Sequence, residues 1–168
     1  RAAFAGEGAL PRLAASAEEA RVVARYVPLA TVVRRREASE ARLKHEPLGS
    51  YRILHFATHA LVDEGTLTRT ALVLAPGDGE DGLVGPGELA RLTLSADLVI
   101  LSACRTAGGT LVRGEGLQGL TSALLQAGAR SVLATRWPIA DRPTVRLVES
   151  FYRELAAGRT VGDALREA

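Results

Sequence analysis

Leu98-Val99-Ile100-Leu101, leading into Ser102-Ala103-Cys104, is the most strongly apolar run in the chain. It is short and bounded by turn residues, the form of a central parallel strand covered on both faces. Working upstream, residues 53 to 58 (Ile-Leu-His-Phe-Ala-Thr) read as a second buried-type strand that ends just before His59, and residues 71 to 75 as another strand candidate. Downstream, a glycine-rich loop at 108 to 114 leads to an apolar helix from Leu117 to Ala127, which Gly128 stops, and residues 131 to 135 form the next strand.

The flanking segments complete the alternation. Ser16-Ala17-Glu18-Glu19 has the form of a capping box, and Ala20, Val23, Ala24 and Val27 recur at helical spacing, so a helix should end before Pro28. Thr31-Val32-Val33 is β-branched and reads as a short strand, while residues 39 to 45 read as a short helix closed by Pro47. A Gly- and acid-rich turn spans 76 to 82, and Pro86 opens a short helix near 88 to 92. Asp141 and Pro143 start a long amphipathic helix ended by Gly158, and Thr160-Val161-Gly162-Asp163 opens a last one. Strands alternating with helices imply an α/β sandwich with a largely parallel sheet.

A chain of 168 residues with 47% apolar content fits one compact domain with a real core. The 21 Lys and Arg against 19 Asp and Glu leave a formal charge of +2, too little to hold a nucleic-acid backbone. Arg34-Arg35-Arg36 has no aromatic interleaving and reads as a solvated loop. One cysteine makes no internal disulfide, and with neither a signal segment nor a long apolar span the expected setting is the cytoplasm, without membrane contact. The chain begins at Arg1 and has no Met, which suggests a piece of a larger or trimmed protein; abundant Ala, Arg and Gly suggest a bacterial, GC-rich source.

In open α/β sheets ligands bind beyond the carboxyl ends of the strands, so polar residues that follow apolar strands are the first candidates. His59 and Cys104 both qualify. If their strands run parallel side by side, a thiol and an imidazole share one rim. That pair is the minimum apparatus of covalent acyl transfer, since the thiolate attacks a carbonyl and the imidazolium protonates the leaving amine. A lone cysteine is equally well a small buried hydrophobe, and position alone leaves both readings open. His55 lies within its strand and reads as structural; His55 and His59 would stand about 13 Å apart on a strand, so their four-residue spacing makes no metal site.

Two segments match the dinucleotide pattern G-x-G-x-x-G. Gly77-Asp78-Gly79-Glu80-Asp81-Gly82 puts three carboxylates where a pyrophosphate would lie and reads as a solvated turn. Gly114-Glu115-Gly116-Leu117-Gln118-Gly119 opens a helix with Asp141 beyond it, but its preceding strand ends too early and Glu115 would repel a phosphate. Neither implies a cofactor.

The residues 54 to 59 (LHFATH), then 98 to 106 (LVILSACRT), Gly114-Glu115-Gly116, residues 126 to 132 (QAGARSV) and Trp137-Pro138, in that order, are similar to CHAT domains, and the resemblance runs over nearly the whole chain. It implies a caspase-like three-layer α/β sandwich with a mostly parallel sheet, spanning residues 1–168 and lacking its N-terminal part. CHAT domains resemble caspases and separases, cysteine peptidases with a His/Cys dyad. By that resemblance His59 and Cys104 are the dyad, and the backbone N–H groups of Ala60 and Cys104 form the oxyanion hole. Ala60 stands where caspase-like enzymes commonly have Gly, which is acceptable if the backbone there does not need positive φ. Arg105 could favour the thiolate, or point to solvent.

The implied activity is a cysteine endopeptidase acting on a protein substrate through a thioester. Its alternative is a catalytically silent caspase-like scaffold or interaction module. Family members often stand behind tetratricopeptide repeats that bind a sensor or partner. Separases carry a similar Trp-x-x-x-Asp segment and cleave after arginine, so the resemblance suggests Asp141, or alternatively Glu115, as the acid that receives a basic side chain. Asp141 is also well placed to cap the long helix.

Overall fold

The structure is a computed structural model and describes residues 10, 12–61, 70–102, 115–135 and 141–168. Its elements in chain order are α1 (Ser16–Tyr26), α2 (Glu40–His45), β1 (Ile53–Phe56), β2 (His59–Leu61), β3 (Ala71–Val73), β4 (Leu83–Val84), α3 (Pro86–Leu89), β5 (Leu98–Leu101), α4 (Glu115–Gln126), β6 (Val132–Ala134), α5 (Asp141–Ala156) and α6 (Val161–Glu167), with short 3-10 turns at Arg35–Glu37 and Leu48–Ser50. The chain divides into two compact units, residues 1–11 with 35–138, and residues 12–34 with 139–168.

The larger unit holds a parallel sheet of order β1-β5-β6 and an antiparallel sheet of order β2-β3-β4. β5 is central, and all four of its residues are buried, as its unbroken apolar run requires. Alternation sends Val99 and Leu101 to one face, where they join Leu94, Leu120, Leu124 and Ala60 in the core, with Leu54 and Phe56 of β1 packed against them. Leu98 and Ile100 point the other way and are buried too. α4 ends where expected: Gly128 takes φ +112°, and a Cβ there would stand 2.3 Å from the Leu94 carbonyl oxygen. Only glycine fits that turn.

At the amino-terminal ends of the parallel strands, Asp97 is gripped by two arginines. Arg52 Nη2 lies 2.6 Å from its carboxylate and Arg130 Nη1 3.2 Å. These guanidiniums hold the Asp97 carboxyl below its ordinary range. Arg52 and Asp97 immediately precede β1 and β5, and Arg130 stands two positions before β6, so the fork helps set the register of the three strands.

The smaller unit is helical, with α5 packed on α1 and α6. Val22, Val145, Val148, Phe151 and Ala164 are buried, Phe151 meets Tyr152 edge-on at 5.6 Å, and Arg25 pairs with Glu149 at 2.9 Å. Tyr152 is almost fully buried, and its phenol is pushed up by burial and then by the Glu19 charge.

The α/β expectation holds, with corrections of detail. The strand read at 53 to 58 stops at Phe56, and His59 begins a second strand. Residues 71 to 75 yield β3, which runs antiparallel to β2, so among the described residues a second, antiparallel sheet of three strands stands beside the parallel one. Thr31-Val32-Val33 forms no strand, because none of its residues has a ladder partner among the described residues, and Val32 is 36% exposed. The capping box at Ser16 does not form: α1 starts at Ser16 itself, whose hydroxyl donates back to the Leu13 carbonyl at 2.9 Å instead of accepting from the helix. Thr160 caps α6 as its spacing requires, and Ser39, read as the first residue of α2, is its N-cap instead; each accepts a backbone N–H at 3.2 Å.

Candidate functional site

β1 and β5 are parallel neighbours, and their register pairs Phe56 with Leu101 at the carboxyl ends of both. Beyond Phe56 the chain passes through Ala57 and Thr58 and enters β2 at His59. His59 is buried, with 9% of the residue exposed, and Ala60 beside it is buried more deeply. β2 is held by β3, with His59 opposite Val73 and Ala60 opposite Leu72. Thr58 adds a side-chain bond to the same strand, its hydroxyl donating to the Val73 carbonyl. Ala60 is not among the residues with positive φ, so Ala serves at this position without strain.

His55 is set apart from His59, as expected. It sits inside β1 opposite Ile100, on the face away from Leu54 and Phe56. Cys104 lies outside the described residues, as do Arg105, Gly114 and the Trp137-Pro138 segment. Glu115 and Asp141 are the first residues of α4 and α5. The two G-x-G-x-x-G segments are accounted for. Gly77 and Glu80 bridge across a tight hairpin turn in which Asp78 and Gly79 both take positive φ, the primed turn that fits twisted strands. The second runs into α4 from Glu115 onward.

One cluster escaped the sequence reading. Lys44 Nζ lies 2.7 Å from Glu40, 2.8 Å from Glu80 and 2.9 Å from Glu88. The three carboxylates have oxygens within 4.8 Å of one another, a spacing that suits a metal ion, but the ammonium already stands among them. Burial works against the charged lysine and is outweighed by its bonds to Glu40, Glu80 and Glu88, so it is held above its ordinary range. For Glu88, burial is likewise outweighed by Lys44 and by the Gly85 amide, and its carboxyl is held low. The only local signal was the i,i+4 pair Glu40 and Lys44; the other two acids come from distant segments.

An open groove of about 700 Å³, lined by Leu43, Pro47, Leu48, Arg91, Leu92 and Thr93 among others, adjoins the segments that enter β1 and β5. It therefore lies toward the opposite strand ends from His59. No helix among the described residues is long and apolar enough to cross a membrane.

The CHAT domain model matches residues 2–168. The chain belongs to the CHAT domain family. CHAT domains are a caspase-like peptidase family, which accords with the α/β fold and its parallel β1-β5-β6 sheet. Among curated proteins, this CHAT domain is similar to tetratricopeptide repeat protein 28 of Mus musculus, 38% identical over 86 residues. That stretch is 51% of this chain and 4% of the relative, so the chain spans a small fraction of the length of the protein it matches.

Proposed function

We propose that this CHAT domain is a cysteine endopeptidase in which His59 and Cys104 form the catalytic dyad. The observation that carries this reading is the β1-β5 register. Phe56 and Leu101 end the two parallel strands side by side, and His59 and Cys104 each follow three residues later. Three residues span at most about 10 Å, so this register supports a reading in which the two residues serve one rim of the sheet.

In this mechanism the imidazole of His59 takes the thiol proton of Cys104, and the thiolate attacks the carbonyl carbon of the scissile peptide bond. The backbone N–H groups of Ala60 and Cys104 receive the oxyanion. The imidazolium then protonates the leaving amine, and water hydrolyses the thioester. The substrate is a protein, cleaved after a basic residue that Asp141 or Glu115 receives. The parent protein carries tetratricopeptide repeats or another sensor that governs access to the dyad, a reading supported by the repeat-containing relative, and acts in a bacterial cytoplasm.

A peptide-based electrophile, applied to the activated parent protein, tests this. Labelling should fall on Cys104, disappear in Cys104→Ala, and drop by orders of magnitude in His59→Ala. His55→Ala should lower stability and leave labelling of the folded fraction intact. A wild type that takes no label at Cys104 would leave the silent caspase-like module as the reading.

A further inference from the structure

We propose that Thr58 is a positioning residue for His59, acting through the carbonyl oxygen of Val73; this rests on the dyad reading above. Thr58 occupies the short link where the chain leaves the parallel sheet at Phe56 and joins the antiparallel sheet at His59. Its hydroxyl donates to the Val73 carbonyl, and Val73 is also the register partner of His59. One β3 residue thus fixes both the side chain before the histidine and the backbone of the histidine itself.

The anchor is itself held from behind. Val73 pairs with Leu83 of β4, the next residue donates its N–H to the Gly82 carbonyl at 2.8 Å, and the Gly82 N–H is bound by the Glu40 carboxylate at 2.7 Å. A β-branched residue has few χ1 options, and the bond from its hydroxyl selects among them, which ties the residue before β2 to β3. Side-chain shape alone would be met equally well by valine, which has the shape of threonine and no donor. The hydroxyl is what the position adds, beside a side chain whose placement within about 1 Å decides the rate of proton transfer.

The test compares the activated parent protein with Thr58→Val, Thr58→Ala and Thr58→Ser. It measures the second-order rate of Cys104 labelling by a peptide electrophile from pH 5 to 9, together with the thermal midpoint. Thr58→Val and Thr58→Ala should label roughly 10- to 100-fold more slowly. Their labelling should also require higher pH, because a misplaced imidazole no longer supports the thiolate and the profile moves toward that of a free thiol. Thr58→Ser should recover the wild-type rate within about threefold, since it keeps the donor. Valine and alanine variants that fold and label like wild type overturn the assignment alone. Loss of the fold in both makes the hydroxyl a structural bond and also overturns it. A wild type that does not label at all overturns the dyad reading and this assignment together.

Discussion

The Glu40 carboxylate, 2% exposed, accepts the backbone N–H of Gly82 at 2.7 Å across 42 residues of sequence. The same carboxylate binds Lys44 at 2.7 Å, so it ties the first turn of α2 to the turn between β3 and β4. Removing it leaves a buried amide and an ammonium short of one partner each. Glu40→Ala should cost about 3 kcal/mol, and Glu40→Gln, which keeps an acceptor for Gly82, clearly less. Urea unfolding at unchanged slope measures both. Equal losses would mean that the charge, and not the Gly82 bond, carries the effect.

Two helix-ending glycines separate conformational strain from collision. Gly158 takes φ +84° with nothing within 4 Å of a would-be Cβ, whereas Gly128 takes φ +112° with the Leu94 carbonyl oxygen 2.3 Å away. Gly158→Ala should cost about 1 kcal/mol from backbone conformation alone. Gly128→Ala should cost several times more, because Leu94 lies on the segment that feeds β5 and has to be displaced. Comparable melting shifts for the two would contradict the close approach.

Acid sensitivity follows from Glu88 and Asp97, whose folded carboxyls are held below their ordinary values of 4.5 and 3.8. A depressed carboxyl contributes stability that is complete above its unfolded value and is lost as pH falls through the folded one. The urea midpoint should therefore be flat from pH 7 to about 5 and decline below that. Lys44 is raised above 10.5, so its contribution is complete below that value and is lost only in stronger alkali. Lys44→Met leaves three carboxylates with oxygens within 4.8 Å and no cation among them. Their mutual repulsion raises their pKa values, so this variant should gain stability between pH 7 and 5, where wild type is flat. A variant profile parallel to wild type would show that the ammonium is not what holds the cluster.

What the sequence disclosed was local or strongly periodic. The run Leu98–Leu101 is central and buried because an apolar strand has no solvent face to offer, and Thr160 caps a helix because its partner lies three residues away. The carboxyl-end rule placed His59 beyond β1 without any knowledge of β2. What stayed hidden depends on partners far along the chain. His59 begins a strand only because Val73 is there to pair with it, and Thr31-Val32-Val33 is not a strand because nothing described pairs with it. The Lys44 cluster draws its acids from positions 40, 80 and 88, and the Asp97 fork its arginines from 52 and 130. No spacing rule spans such distances.

Substrate preference is the sharpest remaining consequence of the proposed activity, and it turns on Asp141. This residue opens α5, two positions before Pro143, where a carboxylate complements the helix dipole. Under the proposed activity the same carboxylate is also the acid put forward to receive a basic side chain before the scissile bond. The two roles make different demands on the side chain. Helix capping needs an acceptor oxygen, which asparagine retains, whereas a guanidinium bound in a pocket needs the negative charge. Matched peptides with Arg, Lys, Asp or Leu before the scissile bond, assayed on the activated parent protein and on Asp141→Asn, distinguish them. A pocket acid gives a wild-type preference for Arg that falls by roughly one to two orders of magnitude in the variant, the size of a charge-assisted hydrogen bond lost. A purely capping Asp141 leaves selectivity unchanged, and Glu115→Gln then becomes the variant to assay. A wild-type preference for Asp or Leu would sink the basic pocket for both acids.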